Sequence, residues 1–390
     1  MRDCRSIVEF GTSKITCTIA EQKPRKGLEV LGCAQVPYAG IKNSNWVDSE
    51  RVYYALEEAL SAAEHQADYR LRNVDVGIPG SFLQIANRTA QISTNGRVSE
   101  QDIDHLVDKA SQVESEEGMV MLEAVPSWFL LDDGNIYLDP AGVNSKRMRG
   151  SISFTFANRF FLNDVAGLLR HMGVRLNSFI AEPLAQALYL VPQENRDDLA
   201  VLVDIGYSTT NVSVIYGDSV LHFDTIPLGG ANIAADIAYV MKVDADTAEQ
   251  LKRRYSFGLA ANGSIPYMYI KDSGGKLRKY PYDVVKGIID ARVEQIVEFV
   301  MQIVTSAEVN LKKKLDIFLT GGGISFMRGA NSFFKSVSGR TPLPINVNSI
   351  KLSDPNLHAS YAMLQYAYGD LGVKPKQKKR GLFGKQEEIY

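Results

Sequence analysis

Two segments far apart in the chain share one pattern, in which an apolar run ends near a carboxylate and a glycine and short hydroxyl residues follow. The carboxylates are Glu9 and Asp204. The residues that follow them are Gly11, Thr12, Ser13 and Lys14 in the first segment, and Gly206, Tyr207, Ser208, Thr209 and Thr210 in the second. Glycine lets main-chain N–H groups approach phosphate oxygens, and short hydroxyl side chains add donors. Each segment therefore predicts a phosphate-binding hairpin.

The two carboxylates suit a hydrated Mg²⁺ ion. Magnesium keeps most of its waters and is usually held by one or two acidic side chains together with the phosphates of a nucleotide. Glu9 and Asp204 are predicted to bind Mg²⁺ through water, and Lys14 supplies a compensating positive charge.

A third segment has an apolar strand, 317–319, that opens on three glycines, Gly321, Gly322 and Gly323. Such a backbone can pass close to a flat base or a phosphate. Any one of the three segments is weak evidence, since similar sequences occur at ordinary strand ends. All three in this order predict one split nucleotide pocket for ATP.

The order of predicted elements indicates a duplicated α/β fold. Strands at 28–36 and 74–78 enclose a helix at 48–66, and strands at 201–204, 212–216 and 220–227 precede a helix at 232–241. Because 390 residues exceed what one hydrophobic core usually supports, two lobes with a ligand between them are expected.

The predicted domains follow from this repeat. The first-lobe core comprises 1–81, 162–195 and about 343–371, and the second-lobe core comprises 196–243 and 287–342. An α+β subdomain at 82–161 is inserted in the first lobe, 244–286 is inserted in the second, and 372–390 is a linker and tail. A long helix is predicted to begin near Gly287, and a last strand and a helix at 356–368 to follow Pro344.

Composition narrows the function classes. A formal net charge of −2 gives no basic field, so nucleic-acid binding is not expected. The chain shows no secretory signal pattern near its start and no apolar run of about 18 residues, which favours a cytosolic location. The three cysteines are interpreted as reduced packing residues, and the five histidines lack metal-ligand spacing.

The three motifs resemble the superfamily of split ATPases that includes actin, hexokinase and the heat-shock chaperones. Within it, the chain is most similar to the FtsA family of bacterial actin-like division proteins, over about residues 5–370. The position of the insert at 82–161 carries this resemblance most strongly. It implies a duplicated actin-like (ribonuclease H-like) two-lobed ATPase fold with an inserted α+β subdomain.

The resemblance also implies roles for single residues. Glu182, in the segment Ala181–Ala185, corresponds to the residue that positions the attacking water, although a helix-start acid stabilised by the helix dipole is an equal alternative. Glu249 and Lys252 correspond to contacts with ribose and base, the alternative being an exposed helical ion pair. Tyr207 and Asn211 replace a glycine and an acid of the family pattern, which favours ATP binding with slow hydrolysis.

The tail combines basic and apolar residues. Lys378, Lys379 and Arg380 precede Leu382, Phe383 and Ile389, which share one apolar sector if the segment is helical. This pattern predicts a weak amphipathic membrane anchor that becomes effective in a filament, and a merely solvated tail is the alternative.

By resemblance, the protein polymerises and links the FtsZ ring to the cytoplasmic face of the bacterial membrane at the division site. The insert is expected to mediate self-association, and Arg253 and Arg254 to meet the acidic C-terminal tail of FtsZ, alongside contacts with other division proteins. One alternative is a pilus-assembly or cell-shape scaffold with the same ATP pocket. Another is an enzyme such as a sugar kinase or chaperone, for which the sequence shows neither an acceptor-site base nor a following substrate domain.

Overall fold

A computed structural model of the protein describes residues 4–23, 27–38, 40–42, 44–112, 116–258, 266–271, 275–307 and 315–369. In chain order, the strands of these ranges are β1 (Cys4–Phe10), β2 (Lys14–Lys23), β3 (Gly27–Pro37), β4 (Ile41–Lys42), β5 (Asn45–Trp46), β6 (Asn73–Ile78), β7 (Leu83–Arg97), β8 (Met119–Leu131), β9 (Ile136–Tyr137), β10 (Asn144–Asn158), β11 (Arg175–Ala181), β12 (Ala200–Ile205), β13 (Thr210–Tyr216), β14 (Ser219–Ile226), β15 (Tyr267–Lys271), β16 (Leu277–Pro281) and β17 (Asp316–Thr320). The helices are α1 (Ser49–Ala67), α2 (Glu100–Ala110), α3 (Arg159–His171), α4 (Glu182–Leu190), α5 (Gln193–Arg196), α6 (Gly230–Met241), α7 (Ala245–Arg254), α8 (Tyr282–Ser306), α9 (Ala330–Ser338) and α10 (His358–Tyr368).

Lobe one is built on a five-stranded sheet with the order β11–β6–β1–β2–β3. Strands β1 to β3 form an antiparallel meander, and β6 pairs parallel to β1. Helix α1 packs on β2 and β3, while α10 packs on β1 and on α4. Their apolar faces form one core with the sheet.

Lobe two repeats this topology without a counterpart of β11. Its sheet has the order β14–β13–β12–β17, in which β12 to β14 form the meander and β17 pairs parallel to β12. Helices α6 and α8 contribute to a second core with the sheet. The predicted duplicated, two-lobed α/β fold is therefore confirmed.

Between β6 and α3, the chain leaves lobe one and forms a separate subdomain, called the insert here. Its antiparallel sheet has the order β7–β10–β8–β9, and α2 packs on β7 to close a small core. Ser99 and Asp102 form a capping box at the start of α2, where Asp102 Oδ2 accepts from the Ser99 main-chain N–H at 2.8 Å.

The insert contacts both lobes. Ser153 Oγ donates to the Val220 carbonyl at 2.7 Å, and Asn87 Nδ2 donates to the carbonyl of Leu221, so two hydrogen bonds join the insert to β14 of lobe two. On the other side, the Tyr366 hydroxyl of α10 donates to Glu123 Oε2 of β8 at 2.9 Å.

Glu123 makes the stability of the folded protein depend on pH. Burial raises the pKa of Glu123 from 4.5 to about 7, although the hydrogen bond from Tyr366 opposes this. The folded state therefore holds the proton more tightly than the unfolded chain, and this stabilisation is complete below pH 4.5 and lost as the pH rises through about 7.

As the pH rises from about 5 to about 8, the free energy of unfolding of Glu123→Gln is therefore expected to increase by roughly 2 kcal/mol relative to that of the parent protein. This figure allows for the partial exposure of the side chain. The measurement is urea unfolding of both proteins at the two pH values. Glu117→Gln, at an exposed position of the insert, is the matched control. A Glu123→Gln variant whose stability tracks the parent at both pH values would refute the prediction.

Two elements differ from the sequence prediction, a helix in its start and a strand in its absence from the described range. Helix α8 begins at Tyr282, five residues before Gly287, because Pro281 caps it and Tyr282 and Val285 reach the core of lobe two. The last strand expected after Pro344 does not form in the described range, where only Leu343 makes an isolated bridge with Phe318.

No helix in the described ranges has the length and apolarity needed to cross a membrane.

Candidate nucleotide site

Glu9 lies at the end of β1 and faces the cleft between the lobes. Ser360 Oγ, from α10, donates to Glu9 Oε2 at 2.7 Å. Burial raises the pKa of Glu9 to about 7, and Asp204 adds to this, while Ser360 and Lys14 oppose it. The Glu9 carboxylate of lobe one is therefore close to the Asp204 carboxylate of lobe two.

Asp204 and Glu182 complete a cluster of three carboxylates. Burial raises the pKa of Asp204, and Gln186 Nε2, which donates to Asp204 Oδ2 at 2.9 Å, opposes that rise. Glu182 starts α4, as predicted, and burial together with Glu9 and Asp204 holds its pKa well above the ordinary value. Its Oε1 atom is buried without a hydrogen-bond partner in the described structure.

The two predicted phosphate hairpins have the same geometry and touch each other. In the first, the Gly11 N–H donates to the Lys14 carbonyl at 3.0 Å, and in the second the Gly206 N–H donates to the Thr209 carbonyl at 2.8 Å. The Ser208 N–H donates to Thr12 Oγ1 at 3.1 Å, across the cleft. Residues almost 200 positions apart thus meet at one point between the lobes.

The third glycine segment joins the same point. The Gly323 N–H donates to the Ile205 carbonyl at 2.7 Å, beside the second hairpin. Gly321 has a φ of +92°, in the left-handed region that favours glycine. Gly322 lies against Asn356, whose Oδ1 accepts from Lys14 Nζ at 2.5 Å. The three segments therefore converge.

Glu249 and Lys252 lie on α7 beside the start of α6. Lys252 is 2 % exposed, pairs with Glu249 at 2.6 Å and donates to the Gly230 carbonyl at 3.0 Å. Burial lowers the pKa of Lys252, and Glu249 opposes this. Gly230 in turn lies against Gly323. The predicted ribose and base contacts thus adjoin the third glycine segment.

The structure also places Tyr207, Arg253 and Arg254. Tyr207 is 48 % exposed, and its carbonyl accepts from the N–H of Ala231. Arg253 pairs with Glu249 at 2.8 Å, and Arg254 Nη1 donates to the Tyr269 carbonyl at 2.8 Å, next to the β15–β16 hairpin. The predicted membrane residues between Lys378 and Ile389 lie outside the described residues.

Four residues of the cleft were not anticipated from the sequence. Gln186 contacts Asp204, Ser360 contacts Glu9, and Asn356 contacts Lys14. The fourth residue, Gly230, starts α6, and its N–H donates to the Gly206 carbonyl. Two features could have indicated part of this set. Gln186 is polar within an apolar run one turn after Glu182, and Gly229 and Gly230 immediately precede a helix.

The donor set fits a hydrated divalent cation. Burial, with Asp204 beside it, raises the pKa of Glu9, and burial with both Glu9 and Asp204 raises the pKa of Glu182. A cation would relieve this repulsion and would give the buried Glu182 Oε1 atom a partner. Within the described ranges, no group of three or more His, Cys, Asp or Glu side chains is arranged to hold a metal ion by itself. Mg²⁺ does not need such a cage, since water and nucleotide oxygens fill its shell.

Two lobes of one topology, with paired hairpins and a glycine turn meeting between them, define an actin-like protein. Solved structures share this fold. The "PilM-PilN type IV pilus biogenesis complex" superimposes with a TM-score of 0.64 at 15% identity, covering 94% of this chain and 98% of that one. MreB5 of Spiroplasma citri bound to AMPPNP gives 0.54 at 12% identity, covering 94% and 97%. At these identities the likeness shows the fold alone.

Sequence comparison identifies the family. The family model described as "Cell division protein FtsA" matches residues 201–366, and that of the "SHS2 domain inserted in FTSA" matches 80–154, which covers most of the insert. The FtsA proteins of Bacillus subtilis and Neisseria meningitidis are 22% and 24% identical, covering 92% and 85% of this chain and 82% and 81% of their own. The chain belongs to the FtsA family of actin-like cell division proteins.

Proposed function

We propose that the protein binds ATP in the cleft between its lobes and that nucleotide controls its assembly at the division site. The observation that carries this proposal is the contact of Thr12 with Ser208, joined by that of Gly323 with Ile205, because these bring three glycine segments of distant sequence together. The main-chain N–H groups of the two hairpins would hold the phosphates.

The carboxylate cluster completes this site. Glu9 and Asp204 would hold Mg²⁺ through water, with Lys14 balancing charge at the phosphates. Bound Mg²⁺ neutralises phosphate charge and so favours binding of the triphosphate. Glu182 would orient a water molecule towards the terminal phosphate. Tyr207, where the family pattern has glycine, makes fast hydrolysis unexpected.

The adenosine would lie on the side of the third glycine segment. Gly321, Gly322 and Gly323 offer a backbone without side chains, and Lys252 with Glu249 lies beside them. Because Lys252 is held by Glu249 and the Gly230 carbonyl, the pair is already ordered before a ribose arrives.

The function of the protein would be mechanical coupling. The protein would polymerise through the insert, receive the tail of FtsZ near Arg253 and Arg254, and attach to the membrane through 372–390, alongside other division proteins. Arg254 is fixed against the β15–β16 hairpin, whose outer face carries Tyr267, Tyr269 and Lys279, and this surface suits an acidic peptide with apolar residues.

Vesicle pelleting tests the membrane function. Full-length protein with ATP is expected to sediment with anionic vesicles, and a variant ending at Gly372 is expected to remain in the supernatant, because the basic and apolar tail residues are gone. FtsZ tail peptide, labelled for fluorescence anisotropy, tests the partner in the same samples. Equal sedimentation of both proteins would remove the anchor, and absence of peptide binding would favour the pilus or cell-shape alternative.

A further inference from the structure

Helix α4 presents two polar side chains to the cleft, one turn apart. The first is Glu182 and the second is Gln186, which is only 4 % exposed. A buried amide that lacks a hydrogen-bond partner is costly, so buried amides are almost always paired. Gln186 is paired with the carboxylate of Asp204, at 2.9 Å.

This hydrogen bond joins the two lobes. Helix α4 packs against α10, and its apolar residues Leu184 and Leu188 belong to the core of lobe one. Asp204 is on β12, which lies between β13 and β17 in the sheet of lobe two. The amide of one lobe therefore fixes the orientation of the carboxylate of the other.

We infer that Gln186 is a positioning residue for the metal site. Its amide N–H donates to Asp204 Oδ2 and restricts rotation of the carboxylate. The Asp204 carboxylate is therefore oriented before Mg²⁺ and nucleotide bind. Residues that orient metal-binding carboxylates contribute strongly to metal affinity without touching the ion. The inference rests on the proposed binding of Mg²⁺ and ATP.

Ser360 gives the cluster a second contact of the same kind. Its hydroxyl donates to Glu9 Oε2 at 2.7 Å and is itself 1 % exposed. Each of the two predicted metal-binding carboxylates is thus held by one buried, uncharged donor. Of the two donors, Gln186 is the one that spans the cleft.

The experiment compares Gln186→Met with the parent protein. Methionine has nearly the size of glutamine, carries no charge and lacks the amide donor. The measurement is the affinity for a fluorescent ATP analogue across a Mg²⁺ titration and in EDTA, with the thermal unfolding temperature of each protein. Gln365→Met is the matched control, because the Gln365 amide on α10 donates to the Tyr361 hydroxyl instead of a cleft carboxylate.

We expect Gln186→Met to need about tenfold more Mg²⁺ for half-maximal binding, with affinity in EDTA unchanged. Gln365→Met should behave as the parent. A folded Gln186→Met variant with the parent Mg²⁺ dependence would overturn the inference while leaving the proposed function intact. Equal losses with and without Mg²⁺ would also overturn it, because they indicate a packing defect. A parent protein that binds no ATP analogue would remove both the function and the inference.

Discussion

Replacing Glu9 and Asp204 together by alanine is expected to weaken Mg²⁺-dependent ATP binding by about two orders of magnitude, roughly 2.7 kcal/mol. The same change should leave binding of metal-free ATP unaltered or make it tighter. The reason is the sign of the charges: the two carboxylates attract the cation, but they repel the phosphates when the cation is absent. Isothermal titration with and without EDTA separates the two effects.

The matched control removes two carboxylates elsewhere. Glu57 and Glu58 are exposed on α1, away from the cleft, so Glu57→Ala with Glu58→Ala changes the net charge equally and should not affect either affinity. If the Glu9 and Asp204 double variant keeps both the ATP affinity and its Mg²⁺ dependence, the assignment of the pocket is wrong.

The second large effect is expected at Gly321. Alanine there would carry a left-handed φ, and its Cβ would meet the Asp204 carboxylate and the main-chain carbonyl of Ile205. The left-handed φ of an alanine alone costs roughly 1–2 kcal/mol. Relief of the contact between its Cβ and residues 204 and 205 must displace β12 or the glycine turn. Gly321→Ala is therefore expected to lose at least about 2 kcal/mol of unfolding free energy, and ATP binding with it.

Gly287→Ala provides the comparison. Gly287 lies exposed within α8, and an added Cβ there would meet nothing within 4 Å. Alanine at such a helical position is expected to stabilise the protein by about 1 kcal/mol. Guanidinium unfolding of both variants gives the two free energies. A Gly321→Ala variant as stable as the parent would show that the turn is not constrained as described.

The sequence predicted those parts of the structure that depend on local pattern. Strand–turn segments around Glu9, Asp204 and Gly321 could be recognised because alternation, glycine and hydroxyl residues lie within a few positions of one another. The repeated strand order and the insert followed from the same local patterns. The start of α8 was misplaced because Gly287 resembles a boundary, whereas Pro281 is the actual cap and buried Tyr282 extends the helix.

The missed residues depend on packing between distant segments. Gln186, Ser360 and Asn356 stand in the sequence as isolated polar residues within or beside helices. Their roles appear only when α4 and α10 are placed against the two hairpins, at separations of 18 to 351 residues from their partners. Sequence spacing does not identify the partners of these side chains, since the docking of the lobes decides them.

The insert leaves lobe one through β7 and returns to it through β10, yet Ser153 and Asn87 fasten it to β14 of lobe two. A force that a neighbouring molecule applies to the insert is therefore shared between both halves of the protein. Any widening of the cleft must either break these two hydrogen bonds or carry the insert along with lobe two. Under the proposed function, tension along a filament and the rate at which nucleotide escapes would thus be physically linked.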